Sequence, residues 1–129
     1  MTPDSSPSAI PTPGWGTVLA WLLRRVRRYR VHGRSMWPSL VPGDTVWVDV
    51  RAYRKTTPQS GEVVVARHPS QTGQLLIKRV HSVLISGKID LRGDSPEQST
   101  DSRGLGAIAL DRVIGRVCAR SQAADPSQE

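Results

Sequence analysis

The chain has 129 residues, a length that suits one domain built round one core. Lys and Arg number 18 against 11 Asp and Glu, a formal charge of +7, which favours anionic partners: nucleic acid, phospholipid headgroups or an acidic protein surface. A single cysteine excludes an internal disulfide framework, no Cys/His cluster has metal-ligand spacing, and the lack of phenylalanine leaves a core of Val, Leu and Ile.

Residues 1–14 are rich in Pro, Ser and Thr and read as a disordered N-terminus. Trp15, Val18, Leu19, Leu22 and Val26 recur at helical spacing. They predict an amphipathic helix over 15–28, with a basic end in Arg24, Arg25, Arg27 and Arg28. The apolar run 15–23 is far short of the ~20 residues that span a bilayer. Arginines follow it, the wrong order for a secretory signal. Such a helix packs on the domain, or makes peripheral contact with an anionic membrane through 15–30.

A short strand over 29–33 leads into a turn. Thr45 to Val50 alternates, with Val46, Val48 and Val50 on one face. Gly61 to Arg67 reads as a strand buried on both sides. Residues 74–85 and 88–92 form two strands joined at Ser86-Gly87, a hairpin signal. Residues 93–106 are a long loop, 107–120 contain a last strand, and 121–129 read as a disordered tail. Cys118, in Val117-Cys118-Ala119, reads as inert strand packing. The expected fold is mostly β: a small antiparallel domain over 29–120 with an N-terminal helix and no second helical pattern.

Three stretches carry chemistry. In Val31-His32-Gly33-Arg34-Ser35-Met36-Trp37-Pro38-Ser39-Leu40, followed by Pro42-Gly43-Asp44, glycine and proline fix a tight backbone path. Such a path holds Ser35 at a defined angle, although most loop serines do no chemistry. Met36 and Pro38, beside it, are candidates for substrate contact. In Leu75-Leu76-Ile77-Lys78-Arg79-Val80, alternation puts Lys78 between Leu76 and Val80 on an apolar face, with Arg79 and His81 on a face that reads as solvated. A lysine there either snorkels to water or loses its proton, because desolvation disfavours the ammonium. A neutral amine is a usable general base. The third stretch runs from Gly93-Asp94-Ser95-Pro96 to Ser99-Thr100-Asp101-Ser102-Arg103 and Gly106. Ser99 is placed to bond an amine, and Asp101 with Arg103 to brace the loop. Without a Gly-Lys-Ser/Thr ending, it is not a phosphate loop.

Together the three stretches resemble the signal peptidase I family of serine/lysine proteases, over about residues 29 to 118. Ser35-Met36-x-Pro38-x-Leu40 is similar to its nucleophile box, Lys78-Arg79-Val80 to the box of its lysine base, and Gly93-Asp94 with Ser99-x-Asp101-Ser102-Arg103 to its last box. The segments Tyr29-Arg30-Val31, Val65-Ala66-Arg67-His68-Pro69 and Gly93-Asp94-x-Pro96 look most like the branch that matures nickel-type superoxide dismutase. The resemblance implies a Ser35/Lys78 dyad, Ser99 orienting Lys78, and no cofactor. It also implies that the partner is a nickel superoxide dismutase precursor, cut to free an N-terminal histidine; the short apolar run and the unpaired Cys118 predict a cytoplasmic enzyme, soluble or peripheral to the membrane. The nickel belongs to that substrate. Two positions depart from the pattern. Gly33 stands where many signal peptidases have an oxyanion-hole serine, so backbone N–H groups, Ser35's among them, must serve. Ser95 stands where asparagine is usual.

Other readings compete. A Ser/His/Asp triad would need one of His32, His68 or His81. Housekeeping signal peptidase activity on exported proteins is the alternative within the family. A non-enzymatic nucleic-acid module would explain the charge and leave the three boxes unexplained. The self-cleaving repressors share the Ser/Lys chemistry, but no helix-turn-helix fits before the β domain.

Overall fold

The structure is a computed structural model and describes residues 10–22, 25–95 and 106–122. A helix α1 (Trp15–Leu22) precedes six strands: β1 (Val26–Arg30), β2 (Thr45–Asp49), β3 (Val63–Arg67), β4 (Leu75–Val83), β5 (Ile89–Arg92) and β6 (Val113–Ser121). They form one sheet in the order β1-β2-β6-β3-β4-β5, every pair antiparallel. The expected mostly β, antiparallel architecture with an N-terminal helix is what the chain adopts.

β3 lies inside the sheet, and its residues alternate between two cores. Val63 and Val65 join Val31, Met36, Leu40, Val46, Val48 and Val117 on one side. Val64 and Ala66 join Val80, Ile89, Leu91 and Ile108 on the other. That is why Val63-Val64-Val65-Ala66 reads as an unbroken apolar run: a strand covered on both faces has no polar side to show. β4 continues the sheet with Leu76, Lys78 and Val80 all buried, as alternation predicted.

Two expectations need correction. The helix ends at Leu22, not at residue 28, and Val26 to Arg30 pair with β2 as β1. The apolar period reaches Val26, but Val26 is buried opposite Asp49 in a strand register. Pairing with β2 satisfies the backbone groups on one side of the strand. Arg25 donates from Nε and Nη2 to the Asp49 carboxylate, at 3.0–3.3 Å. Burial pushes the Asp49 carboxyl up, yet the hydrogen bonds from Arg25 and the Arg51 N–H outweigh it and hold it below its ordinary value. Second, residues 10–14 are not detached from the fold. Ile10 packs on the first core and the Pro11 carbonyl accepts from the Arg120 N–H at 2.8 Å. A short 3-10 turn, Leu110–Arg112, leads into β6. Cys118 behaves as read: its Sγ donates to the Trp47 carbonyl and burial pushes the thiol pKa up.

Candidate active site

The Ser35 loop is closed at its base by backbone bonds. Val31 N–H donates to the Asp44 carbonyl at 2.8 Å, and Gly43 N–H to the Val31 carbonyl at 2.9 Å. Within the loop Leu40 N–H donates to the Met36 carbonyl, which makes one helical turn. Met36 and Leu40 stand four residues apart, so they share a face. Both are driven into the first core, at 2% and 0% exposure. Burying each stabilises the loop by about 1.5–3 kcal/mol. Ser35 precedes this plug and remains half-buried. Gly33 has φ +77°, a left-handed backbone that favours glycine. Trp37–Pro38 is a cis peptide, and Pro38 is exposed.

The turn faces a cleft of about 610 Å³. Residues 29–36 line one side, residues 73–78 the other, and Val65 of β3 joins them. Ser35 and Lys78 both line this cleft, although 43 residues separate them. Lys78 is 4% exposed, opposite Val64 in the register of β3 and β4. Gly33 and Met36 also line the cleft, whereas Pro38 does not. Ser99, Asp101 and Arg103 lie outside the described residues.

One group was misread from sequence. Arg79 is not solvated: its side chain is 14% exposed and makes a two-pronged pair with Asp94, Nε to Oδ1 and Nη2 to Oδ2, both at 3.0 Å. Its Nη1 donates to the Gly61 carbonyl at 2.7 Å. Ser39 Oγ donates to Asp94 Oδ2 at 2.6 Å. Next to Asp94, Ser95 N–H donates to the Ser35 carbonyl at 2.9 Å. The residue beside Lys78 is thus bonded, through Asp94, to the turn that carries Ser35. The signal for this was in the hairpin. A turn at Ser86-Gly87 brings Arg79 opposite Arg92, so Asp94, two residues on, falls within its reach.

The histidines divide. His81 is exposed, as read. His68 is buried, and its Nδ1 accepts the N–H groups of Ser70 and Gln71 at 3.1 and 2.9 Å, which ends β3 in a turn. It does not line the cleft. His32 does, but it is three residues from Ser35 in the same loop. Among the described residues no group of His, Cys, Asp and Glu is arranged to hold a metal ion, and no helix is long and apolar enough to cross a membrane.

Mitochondrial inner membrane protease subunit 1 of Xenopus tropicalis is 26% identical over 107 residues, 68% of this chain and 64% of that protein. The human protein of the same name is 29% identical over 104 residues, 66% of this chain and 63% of its own length. The chain therefore spans under two thirds of these relatives. The family described as signal peptidase, peptidase S26 matches residues 12–84, more than half of the chain, and takes in Ser35, Lys78 and the β-strands between them. A serine held on a plugged turn and a buried lysine on the same cleft are thus features of a chain that belongs to the signal peptidase, peptidase S26 family.

Proposed function

We propose that the protein is a serine endopeptidase that cuts an N-terminal extension from a protein precursor, with Ser35 as nucleophile and Lys78 as base. One observation carries this: Ser35 and a lysine withdrawn from water line the same cleft. Burial disfavours an ammonium, so Lys78 is suited to act as a neutral amine. It takes the Ser35 hydroxyl proton as Oγ attacks the scissile carbonyl, and returns it to the departing amine. Water then hydrolyses the acyl-enzyme. The Ser35 N–H makes no hydrogen bond among the described residues, which suits a role toward the oxyanion. Ser99 is proposed to orient Lys78, and Asp101 with Arg103 to brace the last box.

The cleft also suits an extended peptide. β5 pairs with Arg79 to Val83 of β4 and leaves the neighbouring stretch 75–78 with β3 on one edge only. β1 is an edge strand beside the same cleft. Open strand edges bind extended chains by backbone hydrogen bonds.

The finer reading is a nickel superoxide dismutase precursor as substrate, supported by the likeness of 29–38, 65–69 and 93–103 to that branch. The alternative is signal-peptidase processing of exported proteins. We further propose a cytoplasmic enzyme in peripheral contact with anionic lipid, supported by exposed Trp15 and Leu19 near the arginines of β1. The substrate test is co-expression with a nickel superoxide dismutase precursor and sequencing of the product's N-terminus. A single cut that leaves histidine first, and is lost in both Ser35→Ala and Lys78→Met, is expected. Cleavage of a secretory precursor alone would select the alternative. Full activity in Lys78→Met would overturn the dyad.

A further inference from the structure

The cleft has an electrical sign. Arg30 and Arg34 line it as cations, with His32 between them, and it contains no carboxylate among the described residues. The carboxylates tied to the Ser35 loop are turned to other work. Asp44, which holds Val31 through its backbone, is fully buried and its carboxylate accepts from Arg120 and the Val41 N–H. Asp94 is taken by Arg79 and Ser39.

Arg30 and Arg34 are treated differently from the arginines that hold the fold. Arg25, Arg79, Arg92, Arg116 and Arg120 each pair with an Asp or Glu. Arg30 and Arg34 are exposed and have no ion pair among the described residues. Arg34 rests its guanidinium over the Trp37 ring, 5.8 Å from the centroid, which holds the cation in place without neutralising it. Between the two, Val31 turns inward to the core, so Arg30 and His32 stand on the outer side of the same wall.

We propose that Arg30 and Arg34 select substrates with an acidic residue close to the scissile bond. The inference rests on the reading of Ser35 as the nucleophile. Arg30 is five residues from Ser35, and an extended chain advances ~3.3 Å per residue. A peptide laid along this wall with its scissile carbonyl at Ser35 brings side chains within about five residues of the cut to these guanidinium groups. A carboxylate there gains an ion pair with a fork-shaped donor. A lysine or arginine in the substrate meets like charge.

The experiment uses the full chain and a proteome-derived peptide library, with Ser35→Ala as the blank. Cleaved ends are sequenced by mass spectrometry. Asp and Glu should be enriched at one or two positions within five residues of the cut. Exposed ion pairs are weak, so each arginine should contribute roughly a twofold to fivefold preference in kcat/KM for Asp over Asn at that position. The preference should shrink as salt rises. In Arg30→Glu/Arg34→Glu, the enrichment should pass to Lys and Arg at the same position. That reversal is the decisive result, since a merely structural role for the arginines would lower all rates without changing which charge is preferred. Ser35-dependent cleavage with no acidic enrichment, or enrichment unchanged in the double variant, overturns this inference alone. No Ser35-dependent cleavage of any peptide overturns the peptidase reading and this inference with it.

Discussion

Arg79 and Asp94 show what a single pair does for the site. Neither lines the cleft, yet Asp94 accepts from Ser39 in the Ser35 turn, and its neighbour Ser95 donates to Ser35 itself. Their bonds tie β4 to the Ser35 turn. Removing one partner of a mostly buried ion pair strands the other charge, at a cost of about 3–5 kcal/mol. Asp94→Ala should therefore lower the urea midpoint strongly and reduce kcat more than it raises KM. Replacing both partners by apolar residues removes the stranded charge. Arg79→Met/Asp94→Leu should recover much of the lost stability but not the lost kcat, because Ser39 and the Ser35 turn still lack their anchor. If the double variant regains full kcat, the pair supports only the fold. The tight turn at Ser35 and the burial of Lys78 were legible in the sequence because each sits in a short, constrained pattern: a turn set by Gly33 and Pro38, and a lysine in phase with Leu76 and Val80. Arg79 was misread because alternation tells which face a residue takes, not what covers that face. Its cover, Asp94 with the Ser39 turn, comes from chain 15 and 40 residues away.

Among the elements, β6 carries the most exacting fit. It lies between β2 and β3, and the register slips on both sides, between Trp47 and Val48 and between Val65 and Ala66. Gly115 sits at this crossing. A Cβ added there would come 2.8 Å from Val48 Cγ1 and 2.9 Å from the Asp49 carbonyl carbon. The backbone of β2 cannot retreat without breaking its pairing with β1. Gly115→Ala should thus cost about 1–3 kcal/mol, the usual range for overpacking, read as a lower urea midpoint at unchanged slope. No loss of stability would mean that β2 gives way more readily than its pairing suggests. Periodicity made β2 to β5 legible to within two residues at each end, since each strand alternates or is apolar throughout. It failed at the start of the chain. Arginine is a good helix former and Val26 continues the helical spacing, so nothing local marks the end of α1. The marker is tertiary: Val26 to Arg30 find an open edge on β2. The 3-10 turn at Leu110–Arg112 is three residues long, too short for any period to register.

At the scale of the whole molecule, the charge of +7 is unevenly used. Among the described residues, Arg25, Arg79, Arg92, Arg116 and Arg120 take part in ion pairs within the fold. Arg27, Arg28 and Arg30 stand exposed along β1. α1 packs beside this strand and exposes Trp15 at 89% and Leu19 at 59%. An aromatic and a leucine next to a row of cations match the two requirements of an interfacial surface: apolar area to enter the headgroup region and charge to meet anionic lipid. One helix of eight residues offers little such area, so charge should dominate the attraction. The protein should co-sediment with vesicles that contain anionic phospholipid at low ionic strength and leave them near 1 M salt, where the screening length falls to about 3 Å. It should not bind neutral vesicles. Arg27→Glu/Arg28→Glu should abolish binding, while Trp15→Ala/Leu19→Ala should weaken it by a smaller factor. Retention at 1 M salt with release only by detergent would mean that apolar insertion outweighs charge. Equal indifference to anionic and neutral vesicles would remove the membrane from the picture and leave the arginines of β1 to a protein partner.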